Sequence, residues 1–243
     1  MGSREKSYRK MRESLKLLLQ DLSQRGGKEE EMSDWKKRLE EARATSKMEV
    51  VRTPLDQLGG GWEFLGRLCF MREDGGFFKL LGMMVHGAGR EVPGWGQPMV
   101  VEAGSGVYVL VTDEACSRFL VSMRQEPGNP RDKGFVLLGP SLQVSKSNFE
   151  TTHRGKKPPR LEAYNDKRMV WVDAPKDGGR FVTHKTNCNR LGVLVLPSEE
   201  FDAMVPTGDE LVLTRDELKE ALTGSECNAY LRESTGVAIL LAS

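Results

Sequence analysis

With 243 residues the chain is long enough for one domain with a sizeable core, or for such a domain with a helical appendage. A hydrophobic share of 38% and a charged share of 29% are those of a soluble globular protein. A net charge of only +1 gives no global field to hold nucleic acid or an acidic membrane, so any anion has to be held locally.

The same bulk reading sets the compartment. No apolar run approaches the roughly 20 residues that cross a bilayer, and the N-terminus is too charged for a secretory segment. Cys69, Cys116, Cys188 and Cys227 lie far apart, with no CxxC and no histidine at ligand spacing. That pattern predicts reduced thiols in a cytoplasmic protein and no metal site.

Residues 7–24 place Tyr8, Met11, Leu15, Leu18, Leu19 and Leu22 three and four apart between charged side chains, which predicts an amphipathic helix. Gly26 and Gly27 stop it. A second helix is expected from Ser33, with Met32, Trp35, Leu39 and Ala42 on one face. Two readings fit residues 1–47: a helical arm that pairs two copies, or two helices capping the chain's own core. Residues 48–243 form the main module. Short apolar runs at 68–71, 77–85, 99–101, 107–112, 118–123 and 134–138 are punctuated by Gly, Pro and Asp, as β-strands are, and 169–172 and 192–196 extend the sheet. Thr214 and Glu217 are spaced as a capping box, with Gly224 as the helix stop. Helices flanking a mainly antiparallel sheet make an α+β domain. No internal repeat is evident.

Between the runs 119–121 and 135–138 lies the densest polar stretch, Arg124-Gln125-Glu126-Pro127-Gly128-Asn129, followed by Gly139-Pro140-Ser141-Leu142-Gln143-Val144-Ser145-Lys146-Ser147-Asn148. A long polar loop with an Asn-Pro turn accounts for part of it. The concentration of neutral donors and acceptors also suits a ligand rich in hydroxyls and carbonyls.

These two blocks resemble the signature of the sugar-nucleotide 2,3-dehydratases, close to Q-x-E-P-G-N and P-T-V-Q-A-T-x-S-N. Gly76-Phe77-Phe78, Arg90-Glu91-Val92-Pro93-Gly94-Trp95-Gly96-Gln97-Pro98 and His153-Arg154-Gly155-Lys156 fall in the family's order. So do Gly179-Arg180-Phe181, Lys185-Thr186-Asn187-Cys188-Asn189 and Asn228-Ala229-Tyr230-Leu231-Arg232. Members usually carry two such modules in tandem, whereas this sequence shows one; the T-V-Q-A-T block reads Ser141-Leu142-Gln143-Val144-Ser145.

The resemblance implies a Nudix-like mixed or antiparallel sheet flanked by helices. The glutamate-rich Nudix box that gathers divalent metal is missing from the sequence, so metal-assisted diphosphate hydrolysis is not expected. The implied substrate is a nucleoside diphosphate 4-keto-6-deoxyhexose, dTDP-linked in the family, which loses water across C2 and C3. That elimination requires no nicotinamide, and no cofactor is expected.

For the acid and base, Glu126 and His153 lead, with Lys185 next. Diphosphate recognition points to Arg180, Arg190 and Arg232, with Lys146 and Arg124 behind them. Gln125, Asn129, Gln143, Ser147, Asn148 and Asn187 are the neutral partners. Trp95 either stacks on the base or sugar or anchors its own loop, and Gln97 reads a carbonyl edge. The basic run at 154–160 is expected to form a loop near the phosphates rather than a nucleic-acid patch. Two copies are expected to pair in place of the tandem. The alternatives are a non-catalytic nucleotide-sugar binder and a related lyase or isomerase on another keto-sugar.

Overall fold

The computed structural model describes residues 32–242 apart from 88–91, 103, 152–156 and 183–187, and apart from the side chains of 146–147 and 241–242. The expected helix at 7–24 lies outside these residues. The chain divides into two units, Met1–Lys37 and Arg38–Ser243. Of the first, the described residues 32–37 carry the opening of helix α1 (Asp34–Ala44). The sheets and the other helices belong to the second.

Its centre is β5 (Gly106–Asp113), buried at every residue. Such a strand has neighbours on both edges and cover on both faces, which is why its sequence reads as a continuous apolar run. β5 pairs in parallel with β10 (Asn189–Leu196), which pairs antiparallel with β9 (Val170–Ala174). On its other edge β5 meets β6 (Arg118–Gln125), and β6 meets β11 (Glu210–Thr214), both antiparallel.

β5 and β6 pair only at Val111–Leu120 and Thr112–Phe119 and then part. The gap is filled by β7 (Val136–Pro140) on β6 and β8 (Leu142–Ser145) on β5. Ser141 sits at the fork. Its Oγ accepts the Val111 amide proton at 2.9 Å and donates to the Leu120 carbonyl at 2.5 Å. With that hydroxyl two buried backbone groups stay paired.

Val107, Val109 and Val111 join Leu142 and Val144 in one buried cluster with Met169, Leu194, Leu196 and Phe201. Phe201 belongs to the short helix α3 (Ser198–Asp202). The alternate side chains Tyr108 and Gln143 face the opposite way, toward α5 (Ala229–Ala242). Before it comes α4 (Arg215–Thr223), whose capping box is formed as its spacing predicts: Glu217 N donates to Thr214 Oγ1, and Glu217 Oε2 accepts from Thr214 N. A single turn, α2 (Lys146–Phe149), follows β8.

A second sheet is an antiparallel meander of β1 (Trp62–Leu65), β2 (Cys69–Arg72), β3 (Phe78–His86) and β4 (Gly94–Glu102). β4 begins earlier than its apolar run suggests, because residues 94–98 pair along β3, with Trp95 opposite Val85. Trp95 and Gln97 therefore belong to a strand rather than a loop. Antiparallel and mixed sheets with a few flanking helices are the expected α+β class.

Two buried carboxylates brace the mixed sheet. Glu210, fully buried, takes Arg160 Nε and Nη2 at 2.8 and 2.7 Å and the Thr207 amide at 2.8 Å. Burial pushes the Glu210 carboxyl up, and Arg160 and Thr207 bring it below its ordinary value. Arg160, the last cation of the basic run at 154–160, is thus an internal brace, and residues 154–156 of that run lie outside the described ones. Asp113, also buried, accepts from Ser117 Oγ, the Ser117 and Arg118 amides, and Arg118 Nε.

Candidate functional site

Glu126 follows the last residue of β6, at the start of the polar bend. The bend closes on itself: Glu126 N donates to Phe135 O at 3.0 Å, and Asn129 Nδ2 donates to Arg124 O and Phe135 O at 3.1 and 2.9 Å. The donors of Asn129, expected on substrate, are spent on this loop. Gln125 faces away from Glu126. It donates to Ser46 Oγ, which in turn donates to Gly134 O at 2.7 Å and ties the end of α1 to the bend.

Gln143, on β8, reaches Glu126 because β8 fills the gap between β5 and β6. Gln143 Nε2 donates to Glu126 Oε1 at 2.5 Å, and its Oε1 accepts from Asn228 Nδ2 at 2.9 Å. Asn228 is delivered by a short parallel bridge. Leu138 N donates to Glu226 O and Asn228 N to Leu138 O, each at 2.8 Å, so residues 226–228 run along β7 before α5 begins. Among the described residues, Glu126 Oε2 has no hydrogen-bond partner.

Arg124 completes this group. Its Nη2 donates to the Gln143 carbonyl at 3.2 Å, the one hydrogen bond of the side chain among the described residues. Burial pulls the guanidinium below its ordinary range, while Glu126 and Asp209 act the other way. Gly139 gives the side chain room, since a Cβ there would lie 2.5 Å from Arg124 Cγ and 3.1 Å from Asn228 Nδ2.

Beside it, the Tyr108 and Tyr230 rings stack at 3.7 Å, 10° from parallel. Burial pushes both hydroxyls up, Tyr108 far up, and Glu102 adds to each. Both phenols stay protonated near neutral pH. Lys176, a buried lysine, pairs with Glu102 and donates to Gly104 O at 2.8 Å.

Other expected site residues gather elsewhere. Trp95 Nε1 donates to Gln97 Oε1, and Gln97 Nε2 to Gly179 O, both at 2.7 Å, which stitches β4 to the 177–180 turn. Arg180 belongs to that turn, with its exposed Nε 3.4 Å from Asp177 Oδ2. Arg190 lies over the Trp171 ring at 4.4 Å, with Nε 3.7 Å from Asp173 Oδ1. Arg232 donates to Leu222 O, at the end of α4. Asn148 N donates to Ser145 Oγ at 3.3 Å. His153, Lys185 and Asn187 lie outside the described residues, as does the Ser147 side chain. Arg180, Arg190 and Arg232 are thus each engaged by neighbours other than the side chains of the bend. A cavity of about 580 Å³ between α4, α5 and Phe119 has apolar walls and holds none of the sugar-nucleotide candidates.

The sequence model for NDP-hexose 2,3-dehydratase matches residues 29–225. The chain belongs to the NDP-hexose 2,3-dehydratase family.

Three curated relatives carry the name dTDP-4-dehydro-6-deoxy-alpha-D-glucopyranose 2,3-dehydratase. The protein from Saccharopolyspora spinosa is 29% identical over 147 residues, 58% of this chain and 29% of its own length. That from Streptomyces violaceoruber is 30% identical over 171 residues, 68% of this chain and 36% of its own. That from Amycolatopsis orientalis is 29% identical over 166 residues, 62% and 34% respectively. The chain spans about a third of the length of these relatives.

Within the family match, motif reading finds Glu126 and Gln143 but not what joins them. Tyr108 reads as one more residue of an apolar strand, and Lys176 follows a proline in an unremarked loop. Asn228 opens the last of the motifs and lies beyond the residues that the family model matches; nothing local in the sequence ties it to Gln143.

Proposed function

We propose that this chain takes part in eliminating water across C2 and C3 of a nucleoside diphosphate 4-keto-6-deoxyhexose, dTDP-linked as in the names of its relatives, in deoxysugar biosynthesis. One observation carries the reading: a carboxylate with one oxygen pinned by Gln143 and the other without a hydrogen bond among the described residues, beside a largely buried guanidinium.

The C4 ketone acidifies the C3–H bond. Glu126 takes that proton, and the electron pair moves toward O4. Protonated donors stabilise the developing enolate, a role this reading gives to the Arg124 guanidinium and the protonated Tyr230 phenol. The C2–O bond then breaks and the hydroxyl leaves as water, with His153 or Lys185 as the acid. The enol product tautomerises to a 3,4-diketo sugar. Arg180, Arg190 and Arg232, with Trp95, Gln97, Asn148 and Asn187, are the nucleotide-side contacts in this reading, and substrate has to draw the three arginines and Gln97 from their present neighbours.

A Nudix-like fold of the module, residence in the cytoplasm and pairing of two copies belong to the same proposal. Among the described residues no helix is long and apolar enough to cross a membrane. Pairing is supported by apolar side chains on the meander that face solvent, Leu65 and Met84 among them. Light scattering at working concentration should give twice the chain mass; monomer alone ends that part.

The test is direct. Incubation with a dTDP-4-keto-6-deoxyhexose, with an aromatic 1,2-diamine present to trap the diketone, should yield the adduct. Tight binding without adduct favours a nucleotide-sugar binder. Solvent deuterium at the sugar C–H positions without loss of water favours a related isomerase.

A further inference from the structure

We propose that the N-cap of α5 sets the orientation of Glu126 through a one-way chain of two amides, making Asn228 and Gln143 positioning residues for that carboxylate. The chain starts at the helix. Asn228 Oδ1 accepts the Leu231 amide proton at 3.0 Å, satisfying one of the donors that the first turn leaves open. That commits the other end of the amide, so Nδ2 must be what meets Gln143, and Gln143 Oε1 accepts it. Gln143 Nε2 is then the atom left for Glu126.

An amide has donors at one end and an acceptor at the other, so neither group can turn over alone without facing like against like. The polarity of the helix end is therefore passed to a carboxylate in another element. Two of the links are buried: Gln143 is 9% exposed and Asn228 is 7% exposed. Water is a poor substitute there, and an unmade bond is costly. Gly139 keeps the junction clear, because a Cβ would lie 3.1 Å from Asn228 Nδ2 and 3.3 Å from Gln143 Oε1.

With Oε1 of Glu126 held as an acceptor, the direction of Oε2 is fixed as well. Oε2 is the oxygen left to take a proton. That last consequence rests on the proposed function; the wiring does not.

Reversing the chain tests it. Asn228→Asp keeps a capping oxygen for Leu231 but removes the donor. Gln143 must then set Oε1 against the new carboxylate, or turn over and set it against Glu126. Glu126→Gln removes the second conflict, since the turned amide meets a group able to donate. The desolvation cost of the new charge is common to both backgrounds and cancels, whereas its direct repulsion by Glu126 does not and is the part that would persist without the Gln143 amide.

Thermal unfolding at pH 8 should show Asn228→Asp lowering the midpoint by several degrees with Glu126 present, and by less than half as much with Glu126→Gln. Equal lowering in the two backgrounds overturns the chain, as does coupling that persists in Gln143→Ala. Should Asn228→Asp not fold, the unaltered chain still decides. Its Gln143 side-chain amide protons, assigned by their loss in Gln143→Ala, should exchange slowly and shift on Glu126→Gln. Exchange as fast as that of a surface glutamine overturns the proposal. Neither readout involves substrate, so lack of turnover would sink the proposed function and leave the chain standing, and additive midpoints would do the reverse.

Discussion

β5 and β3 are both rich in apolar residues and differ in what surrounds them. β5 is buried throughout, with Leu110 at 0% exposure, whereas on β3 Met84 is 68% exposed. Hydrophobicity does not separate the two strands; neighbours do. β5 lies between strands on both edges, with a side-chain cluster on one face and α5 on the other, while β3 sits in a four-stranded meander that leaves much of its surface to solvent. Fixed polar geometry follows the same division. The buried carboxylates Asp113 and Glu210 and the Gln143 amide belong to the mixed sheet, with Asn228 packed on it, where a low dielectric and scarce water hold hydrogen bonds to one arrangement.

The largest test of this contrast is the Arg160–Glu210 pair. Arg160→Ala leaves a buried carboxylate unpaired and should cost about 3–5 kcal/mol in urea unfolding. Asp74→Asn, which removes the charge of the exposed partner of Arg72 on the meander, should cost under about 1 kcal/mol. Comparable losses would dissolve the distinction. Next in size, Leu213→Ala on β11, a fully buried position, should cost about 2–5 kcal/mol, while Met84→Ala should stay within about 0.5 kcal/mol. A Met84→Ala loss as large as the Leu213 one would mean that the meander is covered in solution.

The smallest of the three is a pH effect. Burial pushes the Asp113 carboxyl up, but the Ser117 and Arg118 hydrogen bonds more than offset this and hold it down to about 2. Because the folded value lies below the unfolded one, the ionised carboxylate contributes stability that is fully present above about pH 4. It is lost as pH falls toward about 2, and the difference is on the order of 2 kcal/mol. Asp113→Asn should flatten that acid limb; an unchanged limb would assign acid sensitivity to other groups.

The sequence made visible what is local. The runs at 107–112 and 118–123 read as strands because consecutive apolar residues leave few alternatives, and Thr214 with Glu217 reads as a cap because both partners lie within one turn. β1, β8 and β11 escaped because each is only four or five residues long and is defined by what it pairs with. The site shows the same limit. Gln143 stands in a motif, yet its partners are 17 and 85 residues away and meet it only once β8 has docked on β5. Arg160 looked like one cation in a basic run, and its role is set by a glutamate 50 residues on. Charge pattern cannot tell an ion that binds ligand from one that braces a sheet; burial and partner can.

The measurement closest to the centre of this account is turnover of a dTDP-4-keto-6-deoxyhexose by the Glu126→Gln variant beside its affinity for the nucleotide. Loss of a proton-transfer group predicts a fall in kcat of about a hundredfold or more, with nucleotide affinity nearly unchanged. Undiminished kcat, or a rise in KM alone, would contradict the assignment of Glu126 as the base.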